Sequence, residues 1–406
     1  MIRQEKISKI IDEQKKSFLK KDQKLIRHSL ETVPIAENFV TIITGIRRCG
    51  KSVLLLQILE KNYKDALYLN FEDIRLSGFE ADDFARLQRE IVHRKLKVLF
   101  FDEIQIVAKW EIFVHQLLNE GYKVFVTGSN ASLLSKEMGT HLTGRHLSME
   151  LFPFSYLEFL DFKHKTPDKA SFLEYLKTGG MPEYVKTSLP LILRSLIDDI
   201  LFRDIVVRHG IREVNALKEL AVYLISNVGA PVSANKLNGL FGIKSTTTIL
   251  EFFNYFKDAY LIEFAPQFSY SLKAQIRNPK KVYAMDTGFI DVASLSFADD
   301  NGRKLENIVY LYLRRQCKEI FFFKDKGECD FVTFDNGRVK QLIQVCYEIN
   351  DENFQREING LTEAMRFFDK KQGFILTLDQ KDSFKKDGLT IEMLPVYAFI
   401  TENNQV

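Results

Sequence analysis

Val40-Thr41-Ile42-Ile43-Thr44 runs straight into Gly45-Ile46-Arg47-Arg48-Cys49-Gly50-Lys51-Ser52, after which Val53 opens the apolar run VLLLQIL. The β-branched run reads as a buried strand and the run after Ser52 as a helix. Between them stands the pattern GxxxxGK[ST]. There the two glycines let backbone N–H groups point into the loop, where a helix N-terminus already favours an anion. Gly45, Ile46, Arg47, Arg48, Cys49, Gly50, Lys51, Ser52 and Val53 are therefore the expected phosphate cradle. Lys51 would reach the β- and γ-phosphates, Ser52 would ligate Mg²⁺, and Arg47 and Arg48 would add positive potential.

Outward from the loop the alternation repeats. ALYLNFE (66–72), KVLFFDE (97–103) and KVFVTGS (123–129) read as further buried strands, separated by helical stretches over 51–63, 81–94 and 108–120. The pattern predicts a parallel sheet with helices on both faces, extending to about residue 154. KVLFF delivers Asp102 and Glu103 at its C-terminal end, where ligands of open α/β sheets bind. Asp102 suits the Mg²⁺ shell and Glu103 suits polarising an attacking water, although a helix N-cap followed by a first-turn acid would read the same way. The next strand ends in Gly128-Ser129-Asn130, making Asn130 the candidate to orient that water or contact the γ-phosphate. Arg145, ahead of a strand in HLTGRHLSMEL, is either a transition-state cation, in cis or from a neighbouring subunit, or a surface ion pair. Arg203 and Arg208 in LFRDIVVRHG are second-rank candidates for the same role.

Residues 1–32 place apolar positions at helical spacing on a polar background, and the cluster Lys15, Lys16, Lys20, Lys21, Lys24 and Arg27 reads as a solvated face. Residues 155–228 read as mostly helical, interrupted by TGGMPEYV at 178–185. Over 229–300 a helix, a turn, a second helix opened by Ser245 and Thr246, and a strand at 260–264 give the winged-helix order. From 301 to 406 come a helix, the strands EIFFFK and ECDFVTF, an Asn336-Gly337 hairpin, VKQLIQVCYE, a helix and GFILTL. The expected divisions are thus 1–32, 33–154, 155–228, 229–300 and 301–406.

The 406 residues carry 57 Lys plus Arg against 54 Asp plus Glu, a net +3, which excludes a strongly basic DNA-coating protein but not a local basic face. Cys49, Cys317, Cys329 and Cys346 lie far apart, so neither a zinc knuckle nor a disulfide framework is expected, and a reducing, cytoplasmic compartment fits. No apolar run of about 18 residues occurs, so no signal peptide and no membrane span is expected.

Together GIRRCGKS, VLFFDEIQ, TGSN, LTGR, GGMPEYV and the late ECDFV…IQVCYE resemble the AAA+-superfamily ATPases of bacteria and archaea in which a winged helix and a restriction-endonuclease-like domain follow the P-loop domain. The resemblance implies an α/β P-loop fold of the ASCE type and Mg²⁺-dependent binding and hydrolysis of ATP. It implies Walker A roles for Lys51 and Ser52, Walker B roles for Asp102 and Glu103, a sensor role for Asn130 and an arginine finger at Arg145. The nuclease pattern wants one strand acid and then Glu-x-Lys on the next strand. Asp330 and the helix acid Glu306 match, but Gln344 and Cys346 stand where Glu and Lys belong, which removes a metal ligand and a cation together. A nuclease-like fold without efficient cutting is expected, with Glu348 the carboxylate placed to substitute from the same strand face.

Three functions follow. The first is an ATPase whose turnover rearranges the C-terminal domains, on DNA if Lys236, Lys244 and Lys273 of the winged helix contact phosphates. The second is a nucleotide-gated switch with slow hydrolysis and a protein partner, and the third an ATP-dependent nuclease. An oligomer is compatible with each.

Overall fold

Gln4–Leu19 forms helix α1 because Ile7, Ile10, Ile11 and Gln14 recur at helical spacing. Its isoleucines are buried in one core with Leu67, Leu69, Leu87 and Ile91, and Gln14 exchanges hydrogen bonds with the backbone of Asn70, donating at 3.0 Å and accepting at 2.7 Å. The computed structural model describes residues 1–19, 25–63, 65–130, 144–293 and 300–403. Contacts divide the chain into unit 1, Met1–Phe152 with Asp258–Tyr260, and unit 2, Pro153–Lys257 with Leu261–Val406. The N-terminal segment expected to stand apart over 1–32 is thus part of unit 1.

After α1, unit 1 alternates β1 (Val40–Thr44), α2 (Lys51–Asn62), β2 (Leu67–Asn70), α3 (Phe84–His93), β3 (Val98–Asp102), α4 (Trp110–Asn119), β4 (Lys123–Gly128) and β5 (His146–Glu150). All neighbouring strands are parallel, in the order β2-β3-β4-β1-β5. This is the expected P-loop sheet. Because β4 is inserted between β1 and β3, the segments leaving β1, β4 and β3 emerge side by side at one edge. Those strands read as continuous apolar runs because both faces are covered: Ile42, Leu99, Phe101, Val124 and Val126 are fully buried.

Unit 2 begins with α5 (Tyr156–Lys163) and α6 (Lys169–Thr178). Both start at capping boxes, Ser155 with Glu158 and Asp168 with Ser171. The interruption TGGMPEYV is a place of close approach. A Cβ on Gly180 would stand 2.1 Å from Phe154 O, and one on Gly179 2.0 Å from Asp286 Oδ1. Asp286 accepts N–H bonds from Gly180 at 2.6 Å and Gly288 at 2.9 Å, and burial nevertheless pushes its carboxyl up to about 7. Short α7 (Pro182–Thr187) leads into α8 (Pro190–Asp199), which continues as a π-helical stretch, Ile200–Val207, before α9 (Val214–Ser226).

Next come β6 (Pro231–Val232), α10 (Ala234–Leu237), α11 (Thr246–Asp258), β7 (Ile262–Pro266), α12 (Leu272–Arg277), β8 (Lys280–Ala284) and α13 (Thr287–Ala293), with an antiparallel sheet ordered β6-β8-β7. The strand expected at 260 starts two residues later, because Tyr260 turns the chain at φ 56°. The remainder is α14 (Asn301–Gln316), β9 (Glu319–Lys324), β10 (Glu328–Asp335), β11 (Arg338–Val345), α15 (Phe354–Phe367), β12 (Gln372–Thr377), β13 (Asp382–Lys386), β14 (Leu389–Pro395) and α16 (Val396–Glu402). Its mixed sheet is ordered β13-β14-β12-β11-β10-β9. Asn336 and Gly337, both at positive φ, close the β10–β11 hairpin as their types require.

Candidate functional site

The loop between β1 and α2 is shaped by residues that tolerate its backbone. Gly45 and Gly50 adopt φ of 148° and 105°, and a Cβ on Gly45 would meet Leu151 O at 2.1 Å. Cys49 donates its thiol hydrogen to Leu151 O at 3.3 Å. Burial pushes this thiol up, so it packs rather than reacts. Arg47 reaches Glu72 at 3.0 Å, while Arg48 faces solvent.

Lys51 is the first residue of α2 and only 5% exposed. Its ammonium donates to Gly45 O at 3.1 Å and Ile46 O at 3.2 Å and stands 3.5 Å from Glu103 Oε1. Burial by itself would depress this lysine. The Glu103 carboxylate, with Cys49 and Asp102, outweighs burial and holds it above its ordinary value. Reciprocally, burial raises Glu103, but Lys51 and the Gln105 amide win and hold it below the usual carboxylate range. The site is therefore a buried pair of opposite charges, with Ser52 beside Lys51 at the start of the same helix.

Asp102 ends β3 fully buried, with Oδ2 accepting from Tyr68 Oη at 2.8 Å and Oδ1 from Thr127 Oγ1 at 2.5 Å. Thr127 also accepts the N–H of Glu103 at 3.0 Å. One β4 hydroxyl thus orients both acids. Glu103 sits at φ 53°, ψ 40°, a left-handed conformation that costs a non-glycine residue about 1 kcal/mol or more. Asn130, also buried, follows β4 at the same edge.

Arg145 is not brought to this edge. β5 runs parallel to β1, so the residue preceding β5 lies where β1 begins, and Val40 N donates to Arg145 O at 3.1 Å. Its guanidinium meets Asn119 Oδ1 at 2.6 Å and His115 Nε2 at 3.1 Å. The guanidinium is thus held by α4 residues, at the end of the sheet away from the glycine loop. Arg203 and Arg208 belong to unit 2, where Arg203 pairs with Asp199 at 3.5 Å. Residues 142 and 143 of the LTGR motif lie outside the described residues.

Residues 37–160 match a family model described as an AAA domain, and 169–300 match one described as a domain of unknown function. The uncharacterized protein MJ1544 of Methanocaldococcus jannaschii is 39% identical over 372 residues, covering 85% of this chain and 83% of its own. This chain belongs to its family. An uncharacterized protein of Haemophilus influenzae is 31% identical over 379 residues, covering 87% of this chain and 92% of its own. Among solved structures, S. cerevisiae Hsp104 in an extended complex with casein matches with a TM-score of 0.34 at 15% identity, over 67% of this chain and 62% of that one. The AAA domain contains the loop, Asp102, Glu103 and Asn130, and also Arg145 at the far edge.

Four residues around the AAA-domain loop escape a reading of the sequence. Tyr68, Thr127 and Gln105 were visible only as polar residues within or just after apolar strands, a signal that becomes specific once the strand order is known. Arg27 was read with a solvated face, yet it is 3% exposed. It donates to Cys49 O at 2.6 Å and Phe152 O at 2.7 Å, while its own N–H meets Gln57 Oε1 at 3.1 Å. Lys15 likewise donates to Ala66 O, and Lys20, Lys21 and Lys24 lie outside the described residues.

Arg27 therefore grips the phosphate loop from behind. Arg27→Ala is expected to weaken ATP binding about tenfold, through loss of the charge-assisted hydrogen bonds that tie Cys49 O in the loop to Phe152 O beyond β5. Titration with a fluorescent ATP analogue, alongside melting of the same samples, checks this; unchanged affinity would mean that the loop holds its shape without the guanidinium.

Proposed function

We propose that this AAA-domain protein binds ATP with Mg²⁺ and hydrolyses it, and that nucleotide turnover rearranges unit 2. The observation that carries the reading is the buried Lys51–Glu103 pair at the end of a glycine-shaped loop, beside a doubly hydrogen-bonded Asp102. The donor set fits a nucleotide and its metal: hard oxygen ligands in Ser52 and Asp102, and an ammonium buried among carbonyls that phosphate oxygens can replace. Mg²⁺ held there would supply charge neutralisation for the phosphates. Lys51 binds the β- and γ-phosphates, and Glu103, held ionised, accepts a hydrogen bond from the attacking water and aligns it. Asn130 is the polar group left to contact that water or the γ-phosphate.

Within unit 1, Tyr260, which follows α11, donates its hydroxyl to Thr44 Oγ1 at 2.8 Å, one residue before Gly45. Residues 214–284 are read as a winged helix, since the order α9-β6-α10-α11-β7-β8 with strands arranged β6-β8-β7 leaves 267–279 as the wing. We read its surface as favouring a protein partner over DNA on its apolar content: the outward face of α11 carries Leu250 and Glu251 beside Lys257, and the wing exposes Tyr270, Leu272 and Ile276 among the exposed cations Lys273 and Arg277.

The test is phosphate release from ATP and Mg²⁺ by the whole chain, with and without duplex and single-stranded DNA. Turnover that DNA leaves unchanged is the expected result. DNA stimulation would transfer the winged helix to nucleic acid, and no turnover would leave a nucleotide-gated switch.

A further inference from the structure

In unit 2 a lysine sits where three acids converge. Lys281, on the central strand β8 of its sheet, is 2% exposed, and its ammonium stands 2.7 Å from Asp330 Oδ1, 2.9 Å from Glu328 Oε1 and 3.1 Å from Glu306 Oε1. The acids come from α14 and β10. Tyr283, two residues on and so on the same strand face, donates its hydroxyl to Glu306 Oε1 at 2.7 Å. Val345 N donates to Asp330 Oδ2 at 2.8 Å.

Glu328 is also met from the exposed side by Lys324, at 3.0 Å from Oε2. Gln344 accepts the Asp330 N–H at 3.2 Å and donates to Glu357 at 2.6 Å, so its amide is committed at both ends. Cys346 donates to Glu348 O at 3.2 Å, past the end of β11, so Glu348 is not on the strand face from which it was to substitute. Of the three acids Glu306 is the one that burial and Asp330 push up, to about 7, against the pull of Lys281.

We infer that the Lys281 ammonium is the permanent cation of this cluster: a covalently tethered substitute for a divalent metal ion that pins β8 to α14 and β10 and closes the carboxylates to metal. A divalent ion attracted to Glu306, Glu328 and Asp330 must first displace a buried ammonium that has three carboxylate partners. The inference is independent of the nucleotide reading, since none of its residues belongs to the AAA domain, and it answers the nuclease alternative on the geometry of one side chain.

The test uses the whole, nucleotide-free protein. Amine acylation followed by peptide mass spectrometry is expected to label Lys281 about a hundredfold more slowly than exposed Lys273, because only an accessible, neutral amine reacts. Millimolar Mn²⁺ is expected to leave that ratio unchanged. Lys281→Met is expected to bind Mn²⁺ in a titration followed by electron paramagnetic resonance, and Lys281→Met with Asp330→Asn is expected to lose it. Faster labelling of Lys281 with Mn²⁺, or labelling at the rate of Lys273, would overturn the inference. So would a folded Lys281→Met that binds no Mn²⁺. Should that variant not fold, the labelling of the unaltered protein decides.

Discussion

Lys51→Ala is expected to lower ATP affinity by at least about a hundredfold, close to 3 kcal/mol of charge-assisted bonding to phosphate that no neighbouring side chain can replace. The loop carbonyls of Gly45 and Ile46 now meet this ammonium. Without it they face the bound phosphates directly, so the variant adds repulsion to a lost contact. A second effect separates this lysine from an ordinary surface cation. Glu103 is held below the usual carboxylate range against its burial, with Lys51 the first of the groups that lower it. Its contribution to stability is therefore present above the ordinary carboxylate range and is lost as pH falls through the depressed native value. In Lys51→Ala burial is left the dominant influence, the carboxyl moves up, and unfolding becomes easier as pH rises. Isothermal titration with ATP and melting curves between about pH 4 and 8 measure both effects. Retained ATP affinity would remove Lys51 from the site.

Glu103→Gln is expected to keep ATP binding within a few-fold and to reduce hydrolysis by about a hundredfold to ten-thousandfold, the usual worth of a positioned base. The substitution is nearly isosteric, so the left-handed turn at 103 and the contact with Gln105 survive while the charge goes. Single-turnover hydrolysis of radiolabelled ATP, with filter binding on the same preparation, reads chemistry and binding separately. If the variant hydrolyses ATP at the normal rate, another group activates the water. If it fails to bind, Glu103 serves chiefly to hold Lys51.

The loop was legible in the sequence because its chemistry is local. Two glycines, a lysine and a serine at fixed spacing between a strand and a helix specify backbone and charge together, and Asp102-Glu103 was legible as the polar end of an apolar strand. What the spacing withheld was strand order. Arg145 lies 17 residues beyond the end of β4 by sequence, but only the pairing of β5 with β1 shows which end of the sheet it occupies. The same reason hides Tyr68 and Thr127, which reach Asp102 from flanking strands, and Arg27, which reaches Cys49 across 22 positions. Lys281 carries no local signal in KKVYA; its meaning comes from acids 25 and 49 positions away.

The placement of Asp258–Tyr260 has a consequence for how the molecule is made. Everything else in unit 1 is synthesised by Phe152. The hydroxyl that braces Thr44 arrives about a hundred residues later, on the order of ten seconds at ordinary elongation rates. A nascent chain released into solution before that point carries a phosphate loop whose strand lacks one of its buried partners, and a fragment ending at Phe152 keeps that deficit permanently. Translation order thus makes the last buried contact of β1 wait until α11 has been made.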